Sequence, residues 1–263
     1  MKLLTLNCHS WQEENQIKKI KYLAKAIKEN EYDIIAFQEI SRLRIKKINK
    51  DNFENKDYLL ILLEELKSLG IDHYNYMWDF SHIGYNIYEE GLAILTKYKI
   101  LNKKSFFISQ CKDINYWKSR KIIGATIEYN NNLIDVYSCH LGWWHDEDEP
   151  FKTQITNLLK EIKSDRLSFF MGDFNNSATV REEGYDYLLS KELLDTYNLA
   201  ENKDDGFTVT GKIAGWEKNS LDLRLDIIFV NKPIYVKESK IIFNGSNKAI
   251  ISDHFAVEAQ VEL

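Results

Sequence analysis

Seven stretches of this chain carry an apolar run up to side chains that can hold a proton, a cation or a phosphate oxygen. The first strand-like run ends at Asn7, and Asp33–Phe37 ends in Gln38 and Glu39. Glu89, Glu90 and Gly91 precede Ile94–Thr96, and Leu133–Cys139 ends at His140. Ser168–Met171 passes through Gly172 to Asp173, Phe174 and Asn175; Asp226 sits inside Leu223–Val230; Ser252, Asp253 and His254 precede the last apolar stretch. The SFFMGDFN segment is the densest of these. Gly172 permits a sharp turn, and Asp173 and Asn175, two residues apart, project to one side. A carboxylate beside a carboxamide suits a divalent cation, a phosphate oxygen or an attacking water. Each residue also has a plain structural reading. Asp173–Asn175 can be an Asx-turn, Asn7 a turn closure, Glu39 a helix start on a surface loop, and His140 a core histidine. Asp226 can pair with Arg224, and Ser252–Asp253 can cap. The conjunction is more specific, because a sheet brings the ends of adjacent strands together. Carboxylates, amides and imidazoles at one rim are the ingredients of a metal-assisted hydrolase.

The elements that must position them follow from periodicity. Lys2–Cys8 reads as a strand. Ser10 and Glu13 have the spacing of a capping box, and Ile17, Ile20, Leu23, Ala24 and Ile27 predict an amphipathic helix over 12–29. Asp33–Phe37 is a continuous apolar strand, and Leu59–Leu66 lies in a second helix over 57–69, closed by Gly70. Short aromatic or β-branched runs at 73–79, 91–96, 100–109, 121–129 and 133–140 predict antiparallel strands. A third helix is expected over 150–163 with Pro150 at its start, a strand at 167–171 and a weak helix near 180–190. Further strands are expected at 206–210, 224–230, 234–243 and 254–262. This order predicts an α/β sandwich of two packed mixed sheets with helices outside.

Composition narrows the class. The chain has 263 residues, 44% hydrophobic and 13% aromatic, with 2 prolines and 11 glycines. That is enough apolar material for a core and leaves no room for a flexible linker, so one domain over 1–263 is expected. The net charge of −5 and sequence pI near 5.8 weigh against a non-specific grip on nucleic acid. Arg42–Lys50, with Arg44, Lys46 and Lys47, is the densest basic run and reads first as a solvated face. The 3 cysteines, Cys8, Cys111 and Cys139, match neither a disulfide framework nor a zinc site, which points to a reducing compartment. The N-terminal apolar run is too short for a signal peptide and no stretch has the length of a membrane span. A cytoplasmic protein without a membrane partner is expected.

Taken in order, LNCHSW, FQE, EEGLAIL, YSCHLG, MGDFN, LDIIFV and SDH resemble the successive motifs of the endonuclease/exonuclease/phosphatase superfamily, along nearly the whole chain. The resemblance implies a four-layered α/β sandwich and a metal-dependent phosphoesterase. It implies Glu39 as the principal Mg²⁺ ligand, helped by Asn7 and Asp253, with Mn²⁺ as a substitute. Asp173 and Asn175 would orient the attacking water and the phosphoryl group. His254 would be the catalytic histidine with Asp226 as its carboxylate partner, His140 the second histidine with Glu90 as its partner, and Arg120 a phosphate contact. A hard cation takes oxygen ligands and keeps several waters. A histidine held by a carboxylate handles protons near neutrality. Asp173 competes with the histidine as the water-activating base.

The loops bear on the substrate. His140 is followed by LGWWHDEDEPF, which places Trp143 and Trp144 beside the rim as candidate stacking faces, one of which is as readily a packing residue under the next helix. Asp146, Glu147, Asp148 and Glu149 would repel a polyanion, and would accept hydrogen bonds from hydroxyls or cap the helix at Pro150. Trp11 and Trp216 add further aromatic faces. LNCHSWQEENQ, HLGWWHDEDEPF and GKIAGWE are similar to the bacterial maltose 6'-phosphate phosphatase branch, which implies a phosphomonoesterase acting on a small phosphorylated sugar. The alternatives are a deoxyribonuclease or apurinic-endonuclease type of phosphodiesterase, disfavoured by the acidic loop, and a sphingomyelinase, which needs export and an apolar membrane hairpin. A non-enzymatic binding module would leave gaps in the polar rim, and every position is filled.

Overall fold

The computed structural model describes residues 1–44, 57–163 and 165–263. Among them, strands numbered in chain order form two sheets. The first has the order β11 (Ala200–Lys203), β13 (Tyr235–Ile242), β14 (Ala256–Glu262), β1 (Lys2–Asn7), β2 (Ile34–Gln38), β5 (Tyr88–Thr96) and β3 (Arg42–Leu43), with β4 (Asn75–Gly84) also paired to β5. The second has the order β10 (Leu194–Asp195), β12 (Asp226–Val230), β9 (Leu167–Asp173), β8 (Asn132–His140), β7 (Lys121–Tyr129) and β6 (Ile100–Phe107). Each contains parallel and antiparallel pairs, β1–β2 and β8–β9 being parallel. No helix among the described residues is long and apolar enough to cross a membrane.

Strand alternation makes the layers. In β1, Leu3 faces the second sheet and packs in one cluster with Ile34, Ala36, Ile123, Phe169, Met171 and Ile228. Leu4 and Leu6 point the other way, onto Ile20 and Leu23 of α1 (Gln16–Asn30) and Leu62 and Leu66 of α2 (Tyr58–Ser68). In the second sheet Tyr137, Phe170 and Phe229 face α3 (Phe151–Lys160) and α4 (Gly184–Leu189) through Phe151, Ile155 and Leu188. Burying both faces of each sheet gives the expected helix, sheet, sheet, helix order. A short α5 (Thr196–Leu199) precedes β11.

The inner layer turns polar towards one end. Thr5, Gln38 and Ser138 are fully buried there. Gln38 Nε2 donates to Ser138 Oγ at 3.0 Å, Thr5 Oγ1 to Gln38 Oε1 at 3.3 Å, and Ser138 Oγ to the Phe37 carbonyl at 2.9 Å. The two bonds of Ser138 tie the sheets together immediately below the rim, and all three satisfy groups whose burial would otherwise be costly.

Several local expectations change. The first helix starts at Gln16, after Asn15 in a left-handed conformation at φ 56°, with no side-chain cap. The capping box does not form, because both of its side chains are engaged elsewhere. Ser10 Oγ donates to the Glu39 carbonyl and accepts from Ser41 N, and Glu13 pairs with His9 and Lys19. The strand expected at 73–79 runs on to Gly84 because Tyr85 and Asn86, at φ 50° and 60°, close a tight hairpin into β5. At 206–210 there is an isolated bridge, Val209 to Leu223. Arg42 belongs to β3, pairs with Glu89 and lies 4.1 Å over the Trp78 ring, so it is a packed residue. Lys46, Lys47 and Lys50 of the basic run lie outside the described residues.

At Gly172 the backbone of β9 runs close against β8. A Cβ built there would lie 1.9 Å from the Cys139 carbonyl oxygen, at a φ of 152°. Gly172→Ala is therefore expected to destabilise the fold by more than about 3 kcal/mol. Gly70→Ala, with a φ of 82° but open space around it, should cost only about 1 kcal/mol. Urea unfolding midpoints measure both, and a wild-type midpoint for Gly172→Ala would contradict the close approach.

Candidate active site

The register of β9 builds the first row of the site. His140 is opposite Asp173 across the β8–β9 pair, and Asp226 is opposite Asp173 across the β9–β12 pair. All three continue the inner-face alternation that begins with Val136, Phe169 and Ile228. Asn7 follows Leu3 and Thr5 on the facing sheet and is fully buried. Glu39 breaks this pattern. One residue past Gln38 it should point outward, but its φ of 48° turns the carboxylate back to Asn7. Ser252 Oγ donates to the Asn7 carbonyl at 2.7 Å, which ties the loop carrying Asp253 and His254 to the end of β1.

Asp173 Oδ2 is the focus of the geometry. Asn7 Nδ2 lies 3.2 Å from it, His140 Nε2 3.7 Å and His254 Nε2 3.9 Å. Asp173 Oδ1 accepts from Asn175 N at 2.8 Å, so the Asx-turn and the rim position coexist. On its other nitrogen, His254 Nδ1 donates to Asp226 Oδ2 at 2.8 Å. Asp226 does not pair with Arg224, whose Nη2 instead donates to buried Asp195 at 2.6 Å.

The environment sets the charges. Burial pushes the Asp173 carboxyl up to about 7, against the opposing pull of His254 and with the help of Asp226. For His254, burial alone would favour the neutral ring. The Asp226 and Asp173 carboxylates outweigh it and hold the imidazolium well above the ordinary histidine range. His140 goes the other way, because burial and then the Arg120 cation keep it neutral. The two histidines thus differ in charge through their neighbours.

A second cluster contains Glu39, Glu90 and His140, whose ligand atoms all lie within 4.8 Å of one another. Burial, and then the charge of Glu90, raise the Glu39 carboxyl; burial raises Glu90 as well. Two half-buried carboxylates facing each other beside an imidazole are a donor set that fits a divalent cation. Asp253 lies in a neighbouring group with His9 and Glu13, its Oδ1 3.4 Å from His9 Nδ1.

Some expected partnerships are different. Glu90 Oε1 lies 3.3 Å from Nε2 of His82, a ring that burial, and then the Arg120 cation, keep neutral; His140 instead lies 3.8 Å from Glu39. His82 was hidden because the sequence pattern gave no reason to extend β4 past residue 79. Asn7 turns its amide nitrogen, not its oxygen, to the carboxylates: Nδ2 donates to Glu39 Oε1 at 2.9 Å, while Oδ1 accepts from His9 N. In this orientation it braces Glu39 and offers no oxygen to a metal. Asn175 Nδ2 donates to the Leu141 carbonyl and its Oδ1 accepts from Trp216 Nε1, which leaves one Nδ2 hydrogen for the cavity.

Glu39, Glu90, His140, Asp173, Asn175 and His254 line a cavity of about 950 Å³ together with Arg120, Trp143 and Asp146–Asp148. Arg120 is buried, its guanidinium 5.8 Å from the Trp143 ring centre. Its Nη1 donates to the Trp117 carbonyl, and its buried Nε has no partner among the described residues. Trp143 is packed from behind by Gly215, where a Cβ would come within 2.6 Å of the indole. Trp144 is not part of the cavity. Its ring packs edge-on against Phe151 and beside Tyr187, beneath the helix that follows it. Trp11 likewise packs on Tyr58 and donates to the Ser41 carbonyl. Glu149 is buried and accepts from Gln110 N and Cys111 N, so it neither caps α3 nor faces the cavity. The segment it holds, 109–120, returns on itself, with Ser109 N and Ile108 N both donating to the Arg120 carbonyl.

Comparison with known proteins finds the same fold. An endonuclease/exonuclease/phosphatase family protein from Leptotrichia buccalis is 42% identical, with all of both chains covered and a TM-score of 0.91. A mannosyl-6-phosphatase from Bacteroides thetaiotaomicron has a TM-score of 0.70 at 17% identity, again over 100% of both chains. A humanized D. rerio TDP2 has 0.65 at 15%, covering 100% of this chain and 99% of that one. The last two share the fold. No curated protein matches the sequence. The model of the Endonuclease/Exonuclease/phosphatase family matches residues 5–254, and the chain, with its two-sheet sandwich and its rim of carboxylates and histidines, belongs to that family of phosphoesterases.

Proposed function

We propose that this protein is a cytoplasmic, Mg²⁺-dependent phosphomonoesterase that removes phosphate from a sugar phosphate such as maltose 6'-phosphate. The fold does not choose the substrate, since a mannosyl-6-phosphatase and TDP2 share it. The observation that carries the reading is the mouth of the cavity. Trp143 and the acidic run Asp146, Glu147 and Asp148 line the same cavity as His254 and Asp173. Carboxylates there repel a polyanionic strand and accept hydrogen bonds from hydroxyls, and an indole face suits a sugar ring.

The side chains then divide the work. Arg120 faces the phosphoryl oxygens with its unpartnered Nε. Asp173, with its carboxyl near neutrality, takes a proton from the water that attacks phosphorus. His254, kept protonated by Asp226, stabilises the negative charge that develops on the phosphoryl group. The phosphorus–oxygen bond to the sugar breaks and the departing oxygen is protonated from the water in the cavity. Asn7 and the free hydrogen of Asn175 hold Glu39, Asp173 and the phosphoryl group in place. Glu39, Glu90 and Asp253 are the carboxylates that would hold Mg²⁺, which when bound neutralises charge on the phosphoryl and leaving oxygens.

Phosphate release from maltose 6'-phosphate and other sugar phosphates is expected with Mg²⁺ and should be lost in EDTA, with no nicking of plasmid DNA. Nicking without sugar-phosphate turnover would overturn the substrate class. His254→Ala and Asp173→Asn should each lower kcat by about 10²-fold or more, with a thermal midpoint close to wild type. Near-normal turnover by either variant would refute the assignment of these residues.

A further inference from the structure

The cavity has more wall than a phosphoryl group and one sugar ring require. Its volume of about 950 Å³ is near the top of the range for pockets that enclose drug-sized ligands. Outward from Arg120 the wall rises in two aromatic steps. Trp143 comes first, and Trp117 follows with its ring centre 6.1 Å from that of Trp143 and tilted by 57°. Trp117 is 53% exposed and lies in none of the core clusters. An indole that is open to water and lines the cavity has a flat face free for a ligand. Its backbone is fixed, because its carbonyl accepts from Arg120 Nη1 at 3.0 Å. Beside it, Lys118 Nζ lies 5.6 Å from the ring centre and bonds to Asp146 at 3.0 Å and Asp148 at 2.8 Å. A flat apolar face flanked by a fixed ammonium and two carboxylates presents C–H, donor and acceptor complementarity together. A sugar ring has matching C–H faces and hydroxyl edges.

We infer that Trp117, with the Lys118–Asp146–Asp148 group, forms a subsite for a second sugar ring, one residue removed from the ring that carries the phosphate. Trp117 is then the residue that sets how strongly a substrate with a second ring is held relative to one without it. This rests on the sugar-phosphate reading above. A stacked nucleobase is the competing ligand for an exposed indole, but the neighbouring phosphates of a nucleic acid would meet Asp146, Glu147 and Asp148.

The test compares wild type, Trp117→Ala and Trp117→Phe on maltose 6'-phosphate, glucose 6-phosphate and a short single-stranded oligonucleotide. A second readout, the quenching of tryptophan fluorescence by maltose in EDTA, follows binding without turnover. In wild type, maltose 6'-phosphate should have the lower KM. Trp117→Ala should raise that KM about tenfold, the loss typical of an interfacial aromatic anchor, with kcat little changed. It should leave glucose 6-phosphate within twofold and weaken the maltose quench. Trp117→Phe should recover most of the loss. Equal effects on both sugar phosphates, or no effect on either, would overturn the subsite while leaving the phosphatase reading intact. Oligonucleotide cleavage without hydrolysis of either sugar phosphate would overturn both.

Discussion

The pairing register of β9 is the constraint on which the site depends. Asp173 has His140 on one side and Asp226 on the other only because β9 pairs with β8 and β12 at these residues. A slip of one residue would turn Asp173 towards the helices and Phe174 towards the cavity. Two features resist such a slip. The inner face is filled by Phe169 and Met171 while the outer face takes Phe170 and Phe174, so both faces would lose their packing together. Gly172, pressed against the Cys139 carbonyl, leaves room for no other residue at that point. Register, packing and close backbone approach all specify one alignment, and the positions of three reactive side chains follow from it.

The rim itself opposes folding. Glu39, Glu90, Asp173 and Asp253 all have carboxyl groups raised by burial, so each is more easily ionised in the unfolded chain. This unfavourable assembly is held by a scaffold whose stability comes from elsewhere, including the apolar clusters, the Gln38–Ser138 bond between the sheets and the buried Arg224–Asp195 pair. Local charge repulsion supported by distant packing is common where a site must bind a cation or hold a proton near neutrality.

The layers and most of the rim were legible in the sequence because both follow from alternation. A strand with apolar residues on two faces reads as buried, and a polar residue continuing the inner face reads as rim. Asn7, His140, Asp173 and Asp226 obey this rule. Glu39 was found from its motif, since a left-handed turn carries it to the inner side against the alternation. What stayed hidden depends on contacts across the fold. The capping-box spacing of Ser10 and Glu13 says nothing about the Glu39 carbonyl or Lys19, which take those side chains instead. Trp143 and Trp144 are adjacent and of one type, and only the placement of α3 decides that the second one packs. His82 needs the full length of β4 to reach Glu90, and Trp117 sits in a loop with no periodicity to mark it.

The 109–120 segment has a further meaning beyond its contacts. Its two ends are hydrogen-bonded to each other through Ser109 and the Arg120 carbonyl, and Glu149 clamps its base. The loop is also tied to β4 along its length, where Ile83 N donates to the Ile114 carbonyl at 2.7 Å, so its course over the sandwich is set at more than its base. The side chains of Trp117 and Lys118 lie in none of the core clusters, so replacing them leaves the packing of the strands unchanged. The polar rim stays in the sheets, and the side chains that surround its opening are free to change without altering the strands beneath.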